Sequence, residues 1–147
     1  MDTSPSCQGF EVLGFEPGSP LMLPLLLSTV PAGFPSPAED YIDKYLDLND
    51  YLVNHPAATF FVRASGLSMS GADIHPGDIL VVDRALEPAS GRIVIASLDG
   101  ELTVKRFRLK HGRVILEPAN SAFRPVEILP ESDFEVWGVV TFIIHKA

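Results

Sequence analysis

Seven of the chain's 13 prolines (Pro5, Pro17, Pro20, Pro24, Pro31, Pro35 and Pro37) fall within its first 37 residues. Proline fixes φ and removes a backbone donor, so this stretch is barred from a regular helix and from a central strand. It reads as an extended arm, residues 1–32. The arm also carries Leu21, Met22, Leu23, Leu25, Leu26, Leu27 and Val30. That is unlike a solvated linker, and it predicts that the arm lies on an apolar groove of its own domain or of a neighbour. The run 21–30 is too short to span a membrane, which takes about 20 apolar residues. No Lys or Arg precedes Lys44, whereas a signal peptide begins with a positive segment. A cytoplasmic protein without membrane association is expected.

The arm gives way to a helix signal. Ser36 suits an N-cap, Pro37 the first helical position, and Glu39 can close a capping box. Tyr41, Ile42, Tyr45, Leu48 and Leu52 then recur at helical spacing opposite Glu39, Asp40, Asp43, Lys44 and Asp47. Residues 33–56 are therefore expected to form a linker with a short helical segment, and Asp47 could restart it as a second short helix. Asn54-His55-Pro56 ends it, because the residue before proline avoids the α region.

Beyond Pro56 the pattern turns β. Segments 59–64, 79–84, 92–98, 101–109, 113–117, 126–129 and 134–145 are rich in Val, Ile, Phe and Leu. Between them stand His75-Pro76-Gly77-Asp78, Ser90-Gly91, Asp99-Gly100 and His111-Gly112, which are turn sequences. Asp99-Gly100 signals a type I′ hairpin. The expected fold is mainly β: a compact domain over 57–147, preceded by one short helical segment and the extended N-terminal arm.

With 11 basic and 19 acidic residues the formal charge is −8, which disfavours sequence-independent binding to nucleic-acid phosphates. The basic residues Lys105, Arg106, Arg108, Lys110 and Arg113 lie along a strand and its turn, where alternation splits them between two faces. They read as a solvated strand end. Asp78, Asp83 and Asp99 flank turns and read as turn-formers. A single cysteine, Cys7, excludes an intrachain disulfide and a paired-thiolate zinc site. His55, His75, His111 and His145 are scattered, so no metal and no cofactor are expected.

Ser68 sits in Ala64-Ser65-Gly66-Leu67-Ser68-Met69-Ser70-Gly71, a glycine-flanked turn leaving a strand. Such a turn can present a hydroxyl and converge backbone N–H groups on an oxyanion, although most serine-rich turns are only turns. Lys105, in Leu102-Thr103-Val104-Lys105-Arg106-Phe107, shares a face with Thr103 and Phe107 on an otherwise apolar strand. It is either a snorkelling lysine or a desolvated one, held neutral as the general base of a Ser-Lys pair. Neutrality near pH 7 lies far from the ordinary lysine value of roughly 10.4, and only a functional site would retain its cost.

Ser-Gly-Leu-Ser-Met at 65–69, His-Pro-Gly-Asp-Ile-Leu-Val-Val-Asp at 75–83 and Asp-Gly-Glu-Leu-Thr-Val-Lys-Arg at 99–106 resemble the UmuD and LexA family. These are self-cleaving proteins of the bacterial DNA-damage (SOS) response, and the resemblance covers residues 32–147. The family resemblance implies that Ser68 is the nucleophile, Lys105 the base, and Ser68 with Met69 the oxyanion-hole backbone. It places the scissile bond at Ala32-Gly33. Only 32 residues precede that bond, too few and too acidic for a helix-turn-helix domain, so the UmuD type is the nearer match. That resemblance implies a homodimer that cleaves its own arm on RecA filaments bound to single-stranded DNA. The shortened form would then serve a UmuC-type translesion polymerase. Pro31 departs from the pattern, removing one N–H beside the scissile bond if the arm docks as an added strand. The other readings are a signal-peptidase-like serine protease and a non-cleaving accessory subunit with a vestigial dyad.

Overall fold

Apolar residues alternate along the strand-forming stretches, and pairs of residues at positive φ close them into hairpins. Asp99 and Gly100 (φ 50° and 85°) and His111 and Gly112 (φ 52° and 75°) are two such pairs. Left-handed φ at both central residues matches the right-handed twist of the flanking strands. The computed structural model describes residues 11–14, 18–26 and 42–147. Among these the strands are β1 (Glu11–Gly14), β2 (Leu23–Leu26), β3 (Ile42–Leu46), β4 (Thr59–Arg63), β5 (Ile79–Asp83), β6 (Ile93–Leu98), β7 (Glu101–Lys110), β8 (Arg113–Glu117), β9 (Val126–Glu127) and β10 (Phe134–Ile144). A short helix, α1 (Leu48–Leu52), follows β3. The fold is mainly β, as expected.

Eight strands form one antiparallel sheet in the order β1-β4-β5-β10-β6-β7-β8-β9. β10 is its hinge: the first half pairs with β6 and the second with β5, with register shifts between Val136 and Gly138 and between Val140 and Phe142. Trp137 and Thr141 are the extra residues, and such bulges bend and twist a strand. Gly138 is needed there, because a Cβ would stand 2.7 Å from Val82 Cγ1 and 3.1 Å from Asp83 O. The sheet buries both faces. Val62, Leu80, Val82, Ile95, Leu102, Val104 and Val140 pack in one cluster, and Val94, Ala96, Phe107, Leu116 and Val139 in another. Neighbours such as Val94 and Ile95 fall in different clusters, as a period of two requires.

One expectation needs correction. Residues 42–46 are strand, not helix. Ile42 and Tyr45 suit a strand, and pairing with β2 (Leu23↔Leu46, Pro24↔Tyr45, Leu25↔Lys44, Leu26↔Ile42) gives the arm's backbone groups partners. The helical stretch shrinks to α1, which buries no residue; Asp47 caps it, its Oδ1 accepting from Asn49 N at 3.0 Å. Ser36, Pro37, Glu39 and Tyr41 lie outside the described residues, as do Ala32 and Gly33. The apolar arm is expected on a groove of its own domain or of a neighbour; within this chain Leu21, Met22, Leu23 and Leu25 are exposed, and the arm is held by backbone pairing, β1 on β4 and β2 on β3. Both are positions where proline-rich chain can serve as an edge.

Candidate active site

The chain leaves β4 through Ala64, whose N–H donates to Asp78 O and whose O accepts from Gly77 N, both at 2.8 Å. Gly66, at φ 80°, turns it away from the sheet, a conformation that suits glycine. Tight turns follow: Ser70 N donates to Leu67 O at 3.1 Å, Ala72 N to Met69 O at 3.0 Å and Asp73 N to Ser70 O at 3.1 Å. Met69 packs into the first core cluster, 3% exposed, and anchors the turn. Ser68 stays half-buried beside it. Neither the Ser68 nor the Met69 N–H has a hydrogen-bond partner among the described residues.

β7 brings the lysine. Leu102 and Val104 point into the first cluster and Phe107 into the second, so alternation sends Thr103 and Lys105 to the same side. Lys105 Nζ lies 3.0 Å from Ser68 Oγ, 2.8 Å from Thr103 Oγ1 and 3.1 Å from Val104 O. Burial pushes the Lys105 ammonium down from the ordinary lysine value, because a low-dielectric setting penalises the charged form. No carboxylate is within ion-pair distance of Nζ among the described residues. Thr103 was not singled out in the sequence. The legible signal was its place two residues before Lys105, which on a strand puts its hydroxyl on the lysine's side.

A hollow of about 220 Å³ opens beside the lysine, lined by Leu98, Glu101, Leu102, Thr103, Lys105, Leu116 and Val126. Its walls combine apolar Leu98, Leu102, Leu116 and Val126 with the polar Glu101, Thr103 and Lys105. A larger hollow of about 440 Å³, between Arg92 and Phe142, contains neither Ser68 nor Lys105. The structure thus brings together Ser68, Met69 and Lys105, whereas Ala32 and Gly33 lie outside the described residues.

Several other charged residues are engaged by partners. Arg108 and Lys110 reach Glu117 at 3.2 and 3.5 Å, and Arg113 reaches Glu127 at 2.8 Å. Arg106 donates to Gly91 O at 2.7 Å. Asp78 and Asp83 are more than turn-formers: both are buried, paired at 2.6 Å with His145 and His55 respectively. Burial alone would push the Asp78 carboxyl up. Hydrogen bonds from the His145 ring and the His75 N–H, with the charges of both histidines, carry it below the usual value instead. These partners are 67 and 28 residues apart in sequence, beyond any local pattern. Among the described residues, no three His, Cys, Asp or Glu side chains cluster to hold a metal. No described helix is long and apolar enough to cross a membrane.

Comparison with known proteins gives a consistent picture. Residues 24–141 match the Peptidase S24-like family. Protein SamA of Salmonella typhimurium is 53% identical over 123 residues, covering 84% of this chain and 85% of that protein. Protein MucA of Escherichia coli is 48% identical over 120 residues, covering 81% and 82%. The LexA repressor of Ectopseudomonas mendocina is 34% identical over 148 residues, covering 98% of this chain and 72% of that protein.

Proposed function

This chain belongs to the Peptidase S24-like family, and from that premise we propose that it is a self-cleaving serine peptidase of the SOS response, with Ser68 as nucleophile and Lys105 as general base. The carrying observation is the 3.0 Å contact between Ser68 Oγ and a lysine whose ammonium burial disfavours. Neutral Lys105 takes the Ser68 proton as Oγ attacks the Ala32 carbonyl carbon. Thr103 Oγ1 and Val104 O accept the amine's own hydrogens, which leaves its lone pair for Ser68. The Ser68 and Met69 N–H groups, free of partners among the described residues, donate to the oxyanion. The lysine ammonium then gives its proton to the Gly33 nitrogen, the C–N bond breaks, and the Ala32 acyl group remains on Ser68 Oγ. Water, deprotonated by Lys105, hydrolyses that ester and restores the serine. The hollow beside Lys105, apolar on the side of Leu98, Leu102, Leu116 and Val126, is where this reading docks the arm's small side chains.

The finer biology rests on the similarity to UmuD-type proteins. In this reading a RecA filament on single-stranded DNA stimulates the cut, and the shortened form is an accessory subunit of a UmuC-type translesion polymerase. The chain works as a homodimer in the cytoplasm. Exposed Leu21, Met22, Leu23, Leu25, Tyr45 and Tyr51 supply an apolar surface for a second copy; sedimentation at micromolar concentration is expected to give a dimer, and a monomer refutes that part.

The test is self-cleavage without any partner, followed by gel and intact mass from pH 6 to 11. The rate is expected to rise with pH as Lys105 loses its proton. Ser68→Ala and Lys105→Ala abolish the product at every pH, and Lys105→Arg is equally inactive because guanidinium stays protonated. A product persisting in Ser68→Ala, or a rate falling steadily with pH in folded protein, removes the Ser-Lys mechanism. An arm intact under every condition identifies a non-cleaving subunit instead.

A further inference from the structure

The Ser68 turn is held from behind by the segment that follows β8. Asn120 Nδ2 donates to Leu67 O at 3.0 Å and lies 3.4 Å from Ser70 Oγ. Ala119 N donates to Ser68 O at 2.7 Å. The segment seats closely: a Cβ on Gly71 would stand 1.9 Å from Ala119 O. Asn120 is itself oriented, because its Oδ1 accepts from Ala122 N at 3.0 Å and so turns the amide nitrogen toward Leu67.

These contacts act on the oxyanion donors through the peptide plane. A trans peptide fixes the N–H opposite its carbonyl. Holding Leu67 O therefore aims the Ser68 N–H, and holding Ser68 O aims the Met69 N–H. Leu67 O receives two donors, Ser70 N and Asn120 Nδ2, so that plane is fixed from both lone pairs. We propose that Asn120, seated by the Gly71–Ala119 contact, is a positioning residue for self-cleavage: it locks the Leu67–Ser68 peptide unit while the adjoining Ala119 N–H locks the Ser68–Met69 unit, so that both N–H groups are aimed at the oxyanion. It makes no hydrogen bond to Lys105, whose partners are Ser68, Thr103 and Val104. This inference rests on the Ser68-Lys105 reading above.

Two variants test it in the full chain. Asn120→Asp keeps the side chain's shape but removes the donor to Leu67 O, and Gly71→Ala pushes Ala119 away by a different route. Each is expected to lower the high-pH plateau of self-cleavage by about 10- to 100-fold, the scale of a misplaced oxyanion donor. The pH midpoint of Gly71→Ala should match the wild type, since the three contacts of Lys105 are untouched; a role in stability alone would lower the melting temperature and leave the folded protein's plateau unchanged. Amide hydrogen exchange over residues 67–72 should quicken at least tenfold in both variants, with β5 unchanged. A plateau within twofold of wild type in both variants, or exchange over 67–72 unchanged, overturns the proposal. If the wild type itself does not cleave, the proposed function fails, and the exchange result alone decides whether Asn120 holds the turn.

Discussion

At the scale of single residues, Lys105 ties chemistry to stability. Its folded-state pKa lies below the unfolded value because burial penalises the ammonium. Between those two values the unfolded chain binds more protons than the folded one, so the fold gains stability as pH rises. Below the depressed value the burial cost is present in full and constant. The stability of the wild type relative to Lys105→Met is accordingly expected to be flat below the depressed value and to climb with pH from there toward 10.5. Urea titrations at a series of pH values measure it, and a difference that falls over the alkaline window contradicts the assignment. A glycine-flanked serine turn and a lysine on an apolar strand made Ser68 and Lys105 candidates, but each pattern alone stayed ambiguous and the family resemblance was what paired them. Thr103 was legible only through alternation. Asn120, and the histidine partners of Asp78 and Asp83, were not legible, because each acts on a residue distant in sequence that only the folded sheet brings near.

Among the elements, β10 bears the most constraint, since its two bulges let one strand pair with β6 and then with β5. Gly138 sits where it passes from one partner to the other. Gly138→Ala is expected to destabilise the fold by about 1–3 kcal/mol through overpacking against Val82, read as a lowered urea midpoint with an unchanged slope. A midpoint equal to wild type would mean that the strand can yield at that point. The β segments and the two-residue turns after Pro56 could be read from the sequence, because hairpins are local and Asp99-Gly100 and His111-Gly112 specify their own geometry. β3 could not be read this way. Its residues fit a helical period as well as a strand, and the deciding contact is a ladder to β2, whose Pro24 lies 21 residues before Tyr45. Local propensity is a weak prior against such a pairing.

For the whole molecule, the arm and the domain separate in composition and in packing. Residues 1–32 hold three acidic residues and no basic one, so removing them takes the formal charge from −8 to −5. Both core clusters consist of residues from Phe60 onward. A chain beginning at Gly33 is therefore expected to stay folded and to unfold cooperatively, and loss of a cooperative thermal transition would make the arm part of the core. The strand pairings carry a consequence for what a cut achieves. β1 lies on β4, β2 lies on β3, and the Ala32-Gly33 bond falls in sequence between β2 and β3. Hydrolysis at that bond severs the covalent tie but leaves eight paired positions of the arm on the shortened chain. The immediate product of the proposed cut would be a nicked complex of two polypeptides, from which the arm departs only when both ladders unzip. Peptide-bond hydrolysis and exposure of the β4 edge are thus separate events with separate clocks.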